Sequence, residues 1–418
     1  MNPLPWVGLV VSGLLAGASL AGLLVVRRPY ELLTVVSGAV GLGGIVASAW
    51  VIALSHPEPG PVLAAATIGI AACAGGFGLV SSLMANARHC PADLDTVHAP
   101  QRPGVTAVIA LSDLESPRYC PGDVTAEITD LVDAGIPESG IGTTPFLYAA
   151  QKARYRAVGD SSPEVRQARA LCELIDTMLD PEEFSPVTLV TCAEGGALAS
   201  AVSSAVDAGY RSVIVATLHV AEPFRVDREK RGVDALRLDA DEVSVSFTQP
   251  LWASDTLADL VTSRVLAVTT DPDATGVALV MHGQPGTREH THATFDIQET
   301  AFANRVKLAL ADAGIDTERM RTCWQDWRAP DVTETVRHLA ALGCTRIVVS
   351  PTCFPFESLV TLLDLPVEIR QARVAEDVDV IQVAPWKDDA AVAKVIAGEI
   401  VSVARMAPGA AGNEATDY

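Results

Sequence analysis

The sequence predicts an α/β protein with two doubly wound parallel-sheet domains, preceded by three transmembrane helices. From residue 104 onward, short apolar runs rich in β-branched residues alternate with longer segments of helical period. This alternation is typical of parallel strands that helices cover on both faces. Before residue 85 the chain instead contains three long apolar runs. A length of 418 residues also suggests two or three domains.

The three N-terminal runs cover residues 4–26, 32–54 and 62–84 and are almost free of charge. Each is close to the roughly 20 residues that a bilayer-spanning helix needs. A cleaved signal peptide is the alternative for the first run, but the opening "MNPLPW" lacks the basic residues with which such peptides begin. We therefore interpret residues 1–86 as a membrane anchor.

The short loops predict the orientation of this anchor. Arg27 and Arg28 lie between the first two runs, Arg88 follows the third, and the loop "SHPEPGP" carries no Lys or Arg. Because basic loops stay on the cytoplasmic side, the N-terminus is expected outside the cell membrane and the soluble part in the cytoplasm. Membrane lipid is thus an expected partner.

The remainder of the chain divides by composition. Residues 87–103 are polar without an apolar period and predict a linker, and residues 406–418 predict a disordered tail. Between them we expect two α/β halves, residues 104–270 and 271–405. The net charge of -21 excludes a basic nucleic-acid-binding face.

The two halves resemble each other in one stretch. Residues 208–224 and 342–358 both have a glycine after a helix, a buried strand, and an aromatic residue beside proline. In this alignment Gly209 matches Gly343, and the strand-end residue His219 matches Cys353. The similarity suggests duplicated domains.

His282 is the first candidate site residue. It ends the apolar strand "VALVM" and is followed by "GQP". Open parallel sheets bind ligands beyond the carboxyl ends of their strands. A histidine at such an end can bind metal or accept a proton near neutral pH, and the alternative is a hydrogen-bonded loop histidine.

A second group of candidates follows a later strand. The segment "RIVVSPTCFPFES" ends in Cys353, Phe354, Phe356 and Glu357, and a Trp-rich segment precedes it. Aromatic residues, a carboxylate and a histidine at neighbouring strand ends suit a flat, apolar ligand with a polar centre.

At these motifs the sequence resembles the ferrochelatase family. "VALVMHGQP" is similar to the strand with the family's active-site histidine, and "ATFDIQ" stands where the family has Asp-Pro-Tyr-x-x-Gln. Trp327 and Pro330 match a Trp-x-x-Pro turn, "FPFESLVTLLDLP" matches the loop before a Thr-Leu signature, and "GDSSPEV" is similar to a Gly-Gly-x-Ser-Pro turn. The resemblance covers residues 104 to 405 and implies two flavodoxin-like domains with a tetrapyrrole cleft between them.

The resemblance implies a membrane-anchored lyase that inserts Fe(II), its substrate metal, into protoporphyrin IX or coproporphyrin III in haem biosynthesis. It implies that His282 and Glu357 are catalytic, and that both handle the metal together with Asp364. Residues implied to contact the porphyrin are His219, Phe295, Gln298, Trp327, Phe354 and Phe356.

The sequence also departs from the family pattern. The acidic residue expected before Thr-Leu falls on Val360, and a histidine found in many members falls on Ser358. His290 and His292 are either replacement metal ligands or solvated loop residues. No cysteine follows Cys353, so we expect no iron-sulfur cluster.

Two alternative functions remain open from the sequence. The absence of a carboxylate at Val360 favours a non-catalytic protein that binds or delivers haem or another tetrapyrrole. The second alternative is a cobalt or nickel chelatase for a sirohydrochlorin-like ring, in which His219 would act as a second histidine.

Overall fold

The computed structural model describes residues 3–56, 58–84, 104–136, 144–192, 195–236, 238, 243–288 and 291–406. The whole of the expected linker, the expected tail after residue 406, and His290 lie outside these described residues. The chain divides into two compact units. Residues 1–91 and 118–161 form the helical unit, and residues 92–117 and 162–418 form the two-sheet unit.

The helical unit contains the three expected apolar helices, each long and apolar enough to cross a membrane. They are α1 (Leu4–Val25), α2 (Glu31–Ser55) and α3 (Pro59–Met84). Small residues allow α1 and α3 to approach closely, because a Cβ on Gly17 would lie 1.8 Å from the carbonyl oxygen of Cys73. Close backbone packing of this kind is typical of helices in membranes.

Two further helices belong to the helical unit although the sequence placed them in the first α/β half. They are α4 (Pro121–Asp133) and α5 (Thr144–Ala157). The Nζ atom of Lys152 on α5 lies 2.8 Å from the carbonyl oxygen of Leu23 and 2.6 Å from Glu31. The hydroxyl of Tyr119 donates to the carbonyl of Val25 at 2.7 Å. Polar contacts therefore fix the inserted segment, residues 118–161, to the C-terminal end of α1.

The two residues that flank the inserted segment in the two-sheet unit lie next to each other. The backbone N–H of Ser162 donates to the carbonyl of Pro117 at 3.0 Å. Residues 118–161 thus interrupt the α/β chain without separating its flanking residues.

The first sheet of the two-sheet unit has the parallel order β2-β1-β3-β4. Every residue of its central strand β1 is buried. The elements are β1 (Ala107–Ser112), α6 (Glu164–Asp176), β2 (Thr188–Thr191), α7 (Ala197–Ala208), β3 (Ser212–Thr217), α8 (Phe224–Asp234), β4 (Ser244–Phe247) and α9 (Asp255–Val268).

The second sheet repeats this arrangement in the order β6-β5-β7-β8. The repeated order confirms the two flavodoxin-like domains and agrees with a duplication. The elements are β5 (Thr275–Met281), α10 (Ala293–Asp312), β6 (Met320–Trp324), α11 (Val332–Ala341), β7 (Arg346–Ser350), a π-helix (Val360–Asp364), α12 (Leu365–Gln371), β8 (Asp379–Gln382) and α13 (Ala390–Met406).

The sequence analysis missed one strand, β6. The Trp-rich segment has no apolar run that would predict a strand, but residues 320–324 pair in parallel with β5. The strand mixes polar and apolar residues, and only Met320 and Cys323 are fully buried, so it lacks the continuous apolar run of its neighbours. It is the edge strand of its sheet, where such a pattern is tolerated.

Candidate active site

His282 directly follows the last residue of β5, at the carboxyl edge of the second sheet. Its side chain is 42 % exposed. The next residue, Gly283, has a φ of +79°, and a Cβ there would lie 2.3 Å from the carbonyl oxygen of Asp326. Glycine is therefore required at this position for the chain to turn away from the strand beside the histidine.

A buried carboxylate on α10 holds His282. Glu299 is only 1 % exposed, and its Oε1 accepts the backbone N–H of His282 at 3.0 Å and lies 3.2 Å from Nδ1 of the same residue. Its Oε2 accepts the N–H of Gly283 at 3.2 Å. Because an ionised carboxylate only accepts hydrogen bonds, this geometry places the ring proton on Nδ1 and leaves the Nε2 lone pair available.

An aromatic ring packs directly on the imidazole of His282. The ring of Phe354 stacks on His282 with a centroid distance of 3.8 Å. The loop after β6 lies alongside, because the N–H of Asp326 donates to the carbonyl of His282 at 3.1 Å. The next residue, Trp327, is 50 % exposed. Of the six expected porphyrin contacts, Phe354 thus packs on the histidine, and Trp327 follows the residue that bonds to its backbone.

His219, another expected contact, is a buried hydrogen-bonded residue beyond the end of β3. Its Nε2 accepts the backbone N–H of Asp113 at 2.9 Å, and its Nδ1 lies 3.4 Å from the hydroxyl of Thr217. Burial lowers the pKa of His219 to about 4, against an opposing effect of Asp113, and nearby His282 lowers it further. Both ring nitrogens are therefore occupied by protein groups.

This environment predicts how His219→Gln will behave. The unfolded chain takes up a proton near the ordinary histidine pKa of about 6.5, whereas the folded protein resists protonation down to about pH 4. Stability linked to His219 is therefore present above pH 6.5 and is lost as the pH falls, by on the order of 3 kcal/mol at pH 4. Glutamine keeps an acceptor for Asp113 without titrating, so the variant should lose less stability between pH 7 and pH 4.5.

Thermal unfolding of both proteins in detergent at the two pH values measures this difference. Porphyrin affinity should remain unchanged in His219→Gln, because the replaced side chain is buried. A large loss of porphyrin affinity with an unaltered pH dependence of unfolding would instead show that His219 contacts the ligand.

Glu357, expected to be catalytic and to handle metal, is held in a network that joins the two halves. Its carboxylate pairs with Lys387 at 2.5 Å and accepts from the side-chain amide of Gln167 at 2.8 Å. The Gln167 side chain also accepts the backbone N–H of Glu357 at 2.9 Å. Burial raises the pKa of Glu357, but the hydrogen bonds from Lys387 and Gln167 outweigh that effect and hold it below its usual value. In this structure the Glu357 carboxylate therefore links Lys387 of the second half to Gln167 of the first half.

The other candidates lie in or near the protein interior. Phe356 is buried against Trp386 with a centroid distance of 5.7 Å, and Phe295 is buried in the first turn of α10. The side-chain oxygen of Gln298 accepts the N–H of Glu222 at 2.8 Å, which links α10 to the first half. His292 is buried, and its Nε2 lies 2.9 Å from the carbonyl oxygen of Glu222.

Cys353 is also buried, beside Glu299, and burial raises the pKa of its thiol well above the ordinary value. A neutral, buried thiol behaves as a small core residue rather than as a metal ligand.

Two carboxyl groups that the sequence analysis did not select lie next to the Val360 loop. The carboxylate of Glu115 accepts the N–H of Leu359 at 2.8 Å, and the carboxylate of Glu164 accepts the N–H of Glu115 at 2.6 Å. Burial, together with the charge of Glu115, raises the pKa of Glu164 well above its usual value. Two carboxyl groups from the first half thus lie near Val360, the position at which the family pattern has an acidic residue.

Asp364 ends the π-helix, and Glu368 follows one turn later on α12. Burial raises the pKa of Glu368 to about 7, although the side-chain amide of Gln325 donates to it at 3.0 Å and acts in the opposite direction. Nearby carboxylates, including Asp364, raise it further. Short π-helical segments are frequent at functional sites, and a carboxyl group titrating near neutral pH can carry protons.

Within the residues that the structure describes, no group of three or more His, Cys, Asp or Glu side chains is arranged to hold a metal ion. The arrangement instead offers a single accessible imidazole, an exposed indole and carboxyl groups that take up protons. These groups suit a metal ion in transit to a bound ring, as in a protein of the chelatase class.

The comparison with protein families agrees with this class. The family model described as Ferrochelatase matches residues 144–402, more than half of the chain. The chain therefore belongs to the ferrochelatase family. No curated protein matches it.

Solved structures with a similar arrangement include two of SirB. SirB from Bacillus subtilis with Fe3+ is 12 % identical, with a TM-score of 0.46 over 72 % of this chain and 96 % of that chain. The sirohydrochlorin chelatase SirB from Bacillus subtilis subspecies spizizenii in complex with cobalt is 10 % identical with the same coverage and TM-score. DR2241 from Deinococcus radiodurans is 13 % identical, with a TM-score of 0.46 over 71 % of this chain and 55 % of that chain.

Proposed function

We propose that this protein is a membrane-anchored ferrochelatase-type enzyme that inserts Fe(II) into a porphyrin, protoporphyrin IX or coproporphyrin III, in haem biosynthesis. The observation that carries the proposal is the His282–Glu299 pair at the carboxyl edge of the second sheet. It presents an accessible Nε2 lone pair, and the loop after β6 that carries the exposed Trp327 bonds to the backbone of the same histidine.

Metal insertion requires the removal of two pyrrole protons and the delivery of a divalent ion to four ring nitrogens. A neutral imidazole can accept one of these protons or bind the ion transiently. Glu299 holds the ring proton on Nδ1 and so keeps Nε2 directed outward, and the stacked Phe354 restricts rotation of the imidazole. The exposed face of Trp327 supports the flat macrocycle.

Carboxyl groups complete the proposed path for protons and metal. Asp364 and Glu368 lie on consecutive turns after Val360, and the pKa of Glu368, near 7, allows it to accept a pyrrole proton at neutral pH. Glu357 joins this path only when Lys387 releases it, because an ion-paired carboxylate offers a metal ion fewer lone pairs.

A non-catalytic tetrapyrrole-binding protein is the second candidate, and one observation favours it. Val360 is apolar where the family pattern has an acidic residue. The cobalt or nickel chelatase has no comparable support, because both ring nitrogens of its expected second histidine, His219, are already occupied.

Anaerobic incubation of the purified protein with Fe(II) and porphyrin distinguishes these candidates. For the enzyme, absorption bands of the metal-free porphyrin should be replaced by those of haem over many turnovers. Conversion that stops at one ring per protein, or that matches the uncatalysed rate, would contradict the proposal and favour the binding protein.

We further propose that α1–α3 cross the cell membrane with the N-terminus outside. The support is the length and apolar character of the helices together with Arg27 and Arg28 between α1 and α2. A cysteine replacing Pro59, the first residue of α3, should react with an impermeant thiol reagent added to intact cells. Labelling at Arg28 with protection at Pro59 would reverse the orientation.

A further inference from the structure

Helix α5 has an apolar stripe on its outward face. Phe146 is 57 % exposed and Leu147 is 39 % exposed. Ala150, Ala153 and Ala157 continue the stripe and are also exposed. Because positions 146, 150, 153 and 157 follow helical spacing, they lie along one side of the helix. A helix of a soluble protein would carry polar residues on such a side.

The opposite face of α5 is fixed by buried polar contacts. Tyr148, Lys152 and Tyr155 are buried on this face. The ammonium group of Lys152 is satisfied by the carbonyl oxygen of Leu23, at the end of α1, and by Glu31. A buried ammonium without these partners would be strongly destabilising, so the contact determines which side of α5 faces outward.

The contacts of α5 also place it beside the end of α1 and the start of α2. They are made to Leu23, near the C-terminal end of α1, and to Glu31, the first residue of α2. If α1 and α2 cross a bilayer, these helix ends lie at the boundary between headgroups and acyl chains. The apolar stripe then lies near the ends of two helices that expose apolar side chains of their own, such as Val40 on α2.

We propose that α5 is an interfacial helix whose apolar stripe inserts into the lipid boundary beside the transmembrane helices. The occupant of the stripe is phospholipid, because apolar side chains at this level meet the outer part of the acyl chains. The inserted segment thereby adds a second membrane contact, located between β1 and α6 in the chain. This inference depends on the membrane anchoring proposed above.

A photoreactive residue tests what covers the stripe. We would place p-benzoylphenylalanine at position 146 of the full-length protein, reconstitute it in phosphatidylcholine–phosphatidylglycerol vesicles, and irradiate. A phospholipid adduct, detected as a mass increase of the α5 peptide, is expected. Its yield should be at least about ten-fold above that of the same probe at Leu308, an apolar residue of the two-sheet unit that is somewhat more exposed than Phe146.

The same probe at Val40 separates the two proposals. An adduct at position 40 without one at position 146 would overturn the interfacial helix and leave the membrane anchor intact. No adduct at either position would overturn both. A cross-linked dimer at position 146 in place of the lipid adduct would show that a second copy of the chain covers the stripe, which also overturns the proposal.

The variant Phe146→Asp with Leu147→Asp gives an independent readout, because both residues are exposed and their loss should not unfold the bundle. With a photoreactive lipid in the vesicles, labelling of α5 should fall by about ten-fold while labelling of α2 is retained. Unchanged labelling of α5 would show that the stripe is not what contacts the lipid.

Discussion

Replacing His282 with alanine is expected to lower the rate of metal insertion by about 100-fold or more, the usual scale for loss of a positioned proton acceptor. Nε2 is the accessible lone pair of the site, and alanine removes it without disturbing the backbone hydrogen bonds to Glu299. Porphyrin affinity should change far less, because a largely apolar ring is held by its whole buried surface, at about 25 cal/mol per Å².

Stopped-flow absorbance for insertion and fluorescence quenching for porphyrin binding would measure the two effects separately. His338→Ala is a matched control, since this histidine is exposed on α11 and should leave the rate unchanged. Added imidazole should partly restore the rate of His282→Ala. The companion change Val360→Glu restores the family's carboxylate and should be neutral or activating.

A different outcome would identify the binding protein. In that case the wild type would convert porphyrin no faster than solution chemistry does. His282→Ala would then weaken haem binding, because Nε2 would act as an axial ligand. Tight haem binding that depends on His282, with no turnover, would contradict the enzyme.

The second large effect is expected from Glu299→Gln. The amide keeps the shape of the side chain but places an N–H₂ group where a carboxylate oxygen now accepts, so at least one of the three hydrogen bonds is lost. Partners that orient a histidine in this way usually contribute 10- to 100-fold to activity, and we expect a loss of about that size.

Glu229 provides the matched control for this change. It is a fully buried carboxylate of the first half and accepts the N–H groups of Gly196 at 2.9 Å and Leu198 at 3.0 Å. Glu229→Gln should lower the thermal unfolding midpoint about as much as Glu299→Gln, with little effect on the rate of the folded protein. Equal rate losses in both variants would mean that Glu299 acts only through stability.

Much of the fold could be predicted from local patterns. Seven of the eight strands found in the described part of the chain contain apolar runs that are readable in the sequence. Because ligands bind at the carboxyl ends of parallel strands, the sequence also located His282 and Phe354. The structure stacks these two residues on each other although 72 positions separate them.

The residues that support the histidine could not be found in this way. Glu299 lies in a long helix of mixed composition, and nothing local distinguishes it from the exposed acidic residues. The pairing of Glu357 with Lys387 and Gln167 depends on contacts between the halves, up to 190 positions apart. The docking of α5 depends on Lys152, an ordinary basic residue in the sequence that becomes buried only against α1.

The inserted segment also lengthens the delay between the synthesis of β1 and the synthesis of its partner strands. β1 ends at Ser112, but its partners β2 and β3 begin at Thr188 and Ser212. At ribosomal rates of about 5–20 residues per second, this central strand waits roughly 5 to 20 s before both of its edges are paired. In that interval helix α5 has already been synthesised and can pack on the end of α1. The helical unit can therefore form while β1 still lacks a partner at either edge, the state in which an unpaired strand is prone to aggregate.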